Sequence, residues 1–126
     1  MENDNYCVCA LDGIISLLGK KWVLLTVNLI GNAGTIRFSS LFKELDGISP
    51  STLTSILREL EANGLIVRKV FPEIPPRVEY SLSKEGQGLR VAMLPLLRWA
   101  AEKDHYKKLK GSCRPEEYVK LDYSSS

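Results

Sequence analysis

Apolar residues recur at intervals of three and four along much of the chain, the spacing that gathers them on one side of a helix. Between Ala10 and Leu18 the positions are Leu11, Ile14, Ile15, Leu17 and Leu18, which predicts a first helix with one buried face. Gly19-Lys20 interrupts the pattern. A second helix is expected over Lys21 to Ile30, with Trp22, Leu25 and Leu29 in line, closed by Gly31-Asn32-Ala33-Gly34 because glycine supplies the conformations that end helices. Phe38, Leu41, Phe42 and Leu45 predict a third helix of about two turns, ending at Asp46-Gly47.

Ser49-Pro50 marks the start of a fourth helix: a serine hydroxyl caps free backbone N–H groups, and proline in the first helical position sacrifices no hydrogen bond. Leu53, Ile56, Leu57 and Leu60 carry its buried face as far as Asn63-Gly64. The period then changes. Leu65 to Phe71 is rich in branched apolar residues and Val78 to Leu82 alternates, so two strands are expected around the stiff tip Pro72-Glu73-Ile74-Pro75-Pro76-Arg77. Ser83 is placed to cap a last helix, Lys84 to about Lys108, kinked at Pro95 and apolar on more than one face. Such breadth calls for two packing partners. Residues 1–110 therefore read as one domain and 111–126, ending in three serines, as a polar tail.

Composition narrows the class. At 126 residues, 44% hydrophobic and 25% charged, the chain has the make-up of one folded domain. Its uninterrupted apolar runs, Trp22 to Leu25 and Val91 to Leu94, fall far short of the roughly 20 residues that span a membrane, and the polar, acidic start lacks the features of a secretory signal. A cytoplasmic protein with no membrane partner is expected, and in that compartment its three cysteines begin as free thiols. A net charge of +2 is too small to argue nucleic-acid binding by itself, so placement decides.

The order of elements, mainly helical with a small β-hairpin, suits an α+β winged helix-turn-helix, in which the helix after the turn enters the DNA major groove. With Leu53, Ile56, Leu57 and Leu60 inward, the helix over about 49–63 turns Ser51, Ser55, Arg58 and Ala62 outward, with Thr52, Thr54 and Glu59 at the borders. Short hydroxyl side chains let a helix approach base edges, and arginine presents two donors to guanine. In isolation such a face is also an ordinary solvated one. The hairpin over about 66–82 changes the balance, because its proline-stiffened tip carries Arg77 next to the basic strand Arg68-Lys69, a device suited to phosphates or a minor groove. Lys20, Lys21 and Arg37 are candidates for further phosphate contacts. The competing reading is a winged helix that docks on protein, which would favour large apolar anchors over Ser51, Ser55 and Arg58.

The run Gly47-Ile48-Ser49-Pro50-Ser51-Thr52-Leu53, the run Leu57-Arg58-Glu59-Leu60-Glu61-Ala62-Asn63-Gly64-Leu65, and Phe71 to Leu82 with its Pro-Pro-Arg-Val-Glu-Tyr-Ser-Leu wing closely resemble the HxlR-type regulators of bacteria and archaea, relatives of the MarR group. The resemblance extends from about Cys9 to Trp99. It implies a cytoplasmic homodimer joined through the first and last helices, here Leu11, Leu94, Leu97 and Trp99, bound to a palindromic or pseudo-palindromic double-stranded DNA operator. Ser51, Thr52, Ser55 and Arg58 fall on its recognition positions, and Arg77, with Lys69 near it, on the wing. Two departures stand out. Lys20 replaces the second glycine of the family's Gly-Gly-Lys-Trp, and the stretch Arg37 to Leu45 is less basic than usual.

The family often places a cysteine before the first helix, and in some members it senses oxidants or electrophiles; Cys9 matches that place, with Cys7 close by. A helix N-terminus lowers a thiol pKa, whereas a cysteine packed at a dimer interface is inert, and the two readings of Cys9 stand side by side. An oxidant or small-molecule effector follows from the first. A metal site of Cys7, Cys9, Cys113 and His105 is disfavoured by the Cys-x-Cys spacing, so no metal and no cofactor are expected. Catalysis finds no support either: the single histidine has no evident nucleophile beside it, and no glycine-rich phosphate loop occurs.

Overall fold

A computed structural model describes residues 13–103, in which the elements run α1 (Ile14–Leu18), α2 (Lys21–Ala33), β1 (Thr35–Arg37), α3 (Phe38–Glu44), α4 (Pro50–Ala62), β2 (Ile66–Phe71), β3 (Arg77–Leu82) and α5 (Lys84–Lys103). The mainly helical architecture with a β-hairpin is as expected. One strand is added: Thr35-Ile36-Arg37 pairs with β3, so the hairpin grows into an antiparallel sheet of order β1-β3-β2. Three residues are too short for an alternating pattern to show, and only the β3 edge makes them a strand.

Helix α2 runs through the middle of the fold and buries Val23, Thr26, Val27 and Ile30. This corrects the expected line of Trp22, Leu25 and Leu29. Two apolar stripes coexist on α2, and the central core takes the compact one, while Trp22 and Leu29 pack at its margin and Leu25 is exposed. Nor does α2 stop at Gly31. The Arg90 side chain crosses the helix there, in the space a Cβ would fill, and its guanidinium donates a hydrogen bond to Asn32 Oδ1. The turn falls instead at Gly34, whose φ of +81° suits glycine.

The ends of α4 follow their local chemistry. Ser49 Oγ accepts the Thr52 backbone N–H at 3.1 Å, with Pro50 in the first turn. At the other end Gly64 (φ +73°) sends its N–H to Glu61 O and Leu65 sends its N–H to Leu60 O, the paired bonds of a Schellman closure. Between these caps Leu53, Ile56, Leu57 and Leu60 are buried, and each contributes about 1.5–3 kcal/mol of transfer free energy to holding the helix in one rotational setting.

Ser83 starts α5 as expected, its Oγ accepting Gly86 N–H at 3.0 Å and donating to Gly64 O at 2.6 Å. Gly86 lies against the Leu65 carbonyl so closely that a Cβ would overlap it. Helix α5 continues past Pro95, burying Met93 and Leu94, while Val91, Leu96 and Trp99 are 64%, 52% and 58% exposed. Leu94 was expected at a dimer surface; at 4% exposed it is interior to the protomer. Met93 joins the central core and Leu94 is buried outside that cluster, which leaves Val91, Leu96 and Trp99 as the exposed large apolar residues of α5. A similar shift affects α1, where Leu17 is buried and Ile14 and Ile15 are exposed.

Candidate nucleic-acid interface

The outward face of α4 is an open groove of about 580 Å³ bordered by Pro50, Ser51, Thr54, Ser55, Arg58 and Glu59. Ser51, Ser55 and Arg58 are exposed there, on the side opposite the four buried apolar residues. Thr52 is half-buried and lies off this groove, its Oγ1 accepting a hydrogen bond from Ser49 Oγ at 2.8 Å. It completes the helix cap. The groove therefore offers hydroxyl groups, one guanidinium and one carboxylate, and no large apolar side chain.

That carboxylate has a partner. Lys20, at the N-cap of α2, donates to Glu59 Oε1 at 2.8 Å and Oε2 at 3.0 Å. Lys20 has φ −82° and ψ 132°, an ordinary extended conformation, so replacing a glycine there strains nothing. Next to it Lys21 is exposed, its Nζ 4.5 Å from the centre of the Trp22 ring.

The wing cations divide between the two faces of the sheet. Arg37 pairs across the strands with Glu79 and Glu79 with Lys69, so all three share the face turned away from α4. Arg77 joins that group. Its Nε lies 3.2 Å from Glu79 Oε2 as an ion pair without aligned hydrogen-bond geometry, and its Nη1 lies 3.1 Å from Glu73 Oε2. The guanidinium also stacks 4.0 Å above the Phe71 ring, which Lys69 Nζ approaches to 5.1 Å. Arg77 is thus held in place by two carboxylates and an aromatic ring, while Ile74 in the tip is fully exposed.

The opposite face carries Arg68, expected together with Lys69 as one basic strand beside Arg77. Arg68 pairs across the strands with Tyr80 and follows the buried Ile66 by two residues, so it projects toward α4. Strand alternation places the neighbours Arg68 and Lys69 on opposite faces of the sheet. Cys7, Cys9, Leu11, His105 and Cys113 lie outside the described residues. Of the remaining expected interface residues, Leu97 is half-buried against the core and Trp99 is exposed, with Lys103 Nζ 5.7 Å from its ring centre.

A capped helix with a small polar outer face, packed beside an antiparallel hairpin, defines a winged helix-turn-helix protein. Residues 17–108 match the HxlR-like helix-turn-helix family, and the chain belongs to it. Its relatives are regulators of transcription. The HTH-type transcriptional regulator YdeP of Bacillus subtilis is 34% identical over 120 residues, covering 94% of this chain and 92% of YdeP. The reduced form of the transcriptional regulator YodB from B. subtilis superposes with a TM-score of 0.63 at 30% identity, covering 86% of this chain and 97% of that one. The redox regulator HypR in its oxidized form gives 0.69 at 32% identity, over 75% and 96% of the respective chains. Among the described residues no helix is long and apolar enough to cross a membrane.

Proposed function

We propose that this transcriptional regulator binds a palindromic or pseudo-palindromic DNA operator as a cytoplasmic homodimer, each protomer placing α4 in the major groove and the β2–β3 wing on the adjacent backbone or minor groove. The observation that carries this reading is the outer face of α4: Ser51, Ser55 and Arg58 are exposed while Leu53, Ile56, Leu57 and Leu60 lock the inner face into the core. Arg58 reads a base, and Ser51 and Ser55 allow the helix to approach closely. Lys21, Lys69 and Arg37 hold the backbone. Lys20 and Arg77 approach it with carboxylate partners that offset their charge, so each acts first by ordering the surface around it.

The exposed Ile14, Ile15, Val91, Leu96 and Trp99 supply the apolar surface that a second copy covers. For the effector, the redox-regulator relatives favour Cys9 as a thiol sensor, with Cys7 close by in sequence.

The test is selection of bound duplexes from a random pool, followed by titration of Arg58→Ala against the selected and a scrambled duplex. Loss of Arg58 is expected to cost about 1–3 kcal/mol of discrimination. An unchanged ratio of the two affinities removes the base-reading role, and a parent protein with no preference for any duplex puts protein docking in first place.

A further inference from the structure

Between α4 and the wing lies a cleft of about 340 Å³ lined by Phe38, Thr54, Arg58, Glu61, Arg68 and Tyr80. It is separate from the outward groove but shares Arg58 and Thr54 with it. Three charged side chains meet there, two guanidinium groups and one carboxylate, leaving an excess of one positive charge. The ion pairs on this surface fall elsewhere, at Lys20 with Glu59 and at Arg77 with Glu73 and Glu79. Among the described residues neither guanidinium is engaged by a hydrogen bond or ion pair, although Glu61 borders the same cleft.

Two guanidinium groups on separate elements, facing one space, present planar forks of donors from different directions. A carboxylate carries one charge and two oxygens in one plane, which a single fork satisfies. A phosphate group carries more charge and several acceptor oxygens pointing apart, which suits two forks approaching from a helix and a strand. Thr54 and Tyr80 add hydroxyl groups to the lining, and Phe38 adds an apolar wall. The cleft is thus polar at its charged rim and roomy enough to admit a phosphate with part of its carrier.

We infer that Arg58 and Arg68 form a two-arginine phosphate site between α4 and β2. The site takes either a backbone phosphate of bound DNA or a free phosphate, and the chemistry of recognition is the same for both. Arg68 anchors the phosphate, and Arg58, which lines both spaces, offers one edge of its guanidinium to the cleft and the other to base edges in the outward groove. The DNA arm of this inference rests on the reading that α4 enters DNA, and the free-phosphate arm does not.

The experiment uses the full chain and its Arg68→Ala and Arg68→Lys variants, each first shown to unfold cooperatively at the temperature of the parent. Inorganic phosphate is titrated by isothermal calorimetry without DNA, at constant ionic strength set by chloride. Separately, affinity for a duplex selected from a random pool is followed against salt. If DNA supplies the phosphate, Arg68→Ala weakens selected and scrambled duplexes alike and makes the logarithmic salt slope shallower by about one unit. Arg68→Lys keeps the slope but not the full affinity, because the charge survives and the fork does not. If the ligand is free, inorganic phosphate saturates one site per chain in the parent and fails to in Arg68→Ala, while the salt slope is unchanged. Folded Arg68→Ala protein that alters neither measurement overturns the site. A parent protein that binds phosphate through Arg68 but no duplex retains the site and removes the DNA reading.

Discussion

Lys20 Nζ reaches both carboxylate oxygens of Glu59, at 2.8 and 3.0 Å, and so ties the start of α2 to the outer border of α4. Both side chains are about half exposed, at 50% and 41%, so the pair contributes only about 0–1 kcal/mol to stability. Its effect on binding is larger in kind. Glu59 borders the α4 groove, and without Lys20 an uncompensated carboxylate faces the phosphates of an approaching duplex. Lys20→Ala is expected to weaken duplex binding with little change in melting temperature, and adding Glu59→Gln to restore most of the loss. A double-mutant cycle of binding affinities checks this; strictly additive effects would separate the two residues.

Arg77 and Lys21 are expected to differ. Among the described residues Lys21 has no carboxylate partner and lies over the Trp22 ring, whereas Arg77 is offset by Glu73 and Glu79. Lys21→Ala should therefore make the logarithmic salt slope of duplex binding shallower by about one unit, and Arg77→Ala by clearly less. Arg77→Ala should instead loosen the wing, which amide hydrogen exchange across residues 71–79 reads directly. Equal slopes for the two variants would return Arg77 to simple phosphate contact.

The outward residues of α5 set the dimer test. Leu97 packs partly against the core and Leu94 is interior, so charge at either disturbs folding as well as assembly. Leu96 is 52% exposed and borders an apolar groove with Ile15 and Leu24. Leu96→Asp is expected to shift the mass from twice 14.1 kDa toward 14.1 kDa in light scattering at micromolar concentration, with its unfolding transition intact. A parent protein already at the lower mass rejects the homodimer.

For the thiol sensor, diamide or a quinone should lower duplex affinity of the parent protein, and Cys9→Ser should abolish that response while reduced binding stays unchanged. A Cys9→Ser protein that still responds assigns the sensing elsewhere.

The amino-acid sequence by itself determined what depends on neighbours along the chain. The Ser49-Pro50 cap, the Asn63-Gly64 closure, the Ser83 cap and the buried stripe of α4 are local matters, set by hydroxyl geometry, glycine conformation and helical period, and they place Ser51, Ser55 and Arg58 outward before any packing is known. Tertiary structure decided what depends on residues distant in the chain. It chose Val23, Thr26, Val27 and Ile30 over Trp22, Leu25 and Leu29, because α2 carries two apolar stripes and period alone does not rank them. It made Thr35–Arg37 a strand, since a strand exists only against a partner, and let α2 pass through Gly31 because Arg90, 59 positions later, occupies the space beside it. It also paired Lys20 with Glu59 and Arg77 with Glu73 and Glu79, and turned Arg68 toward α4. Charge in a sequence is a count, and which cation meets which carboxylate is settled only when the chain has folded.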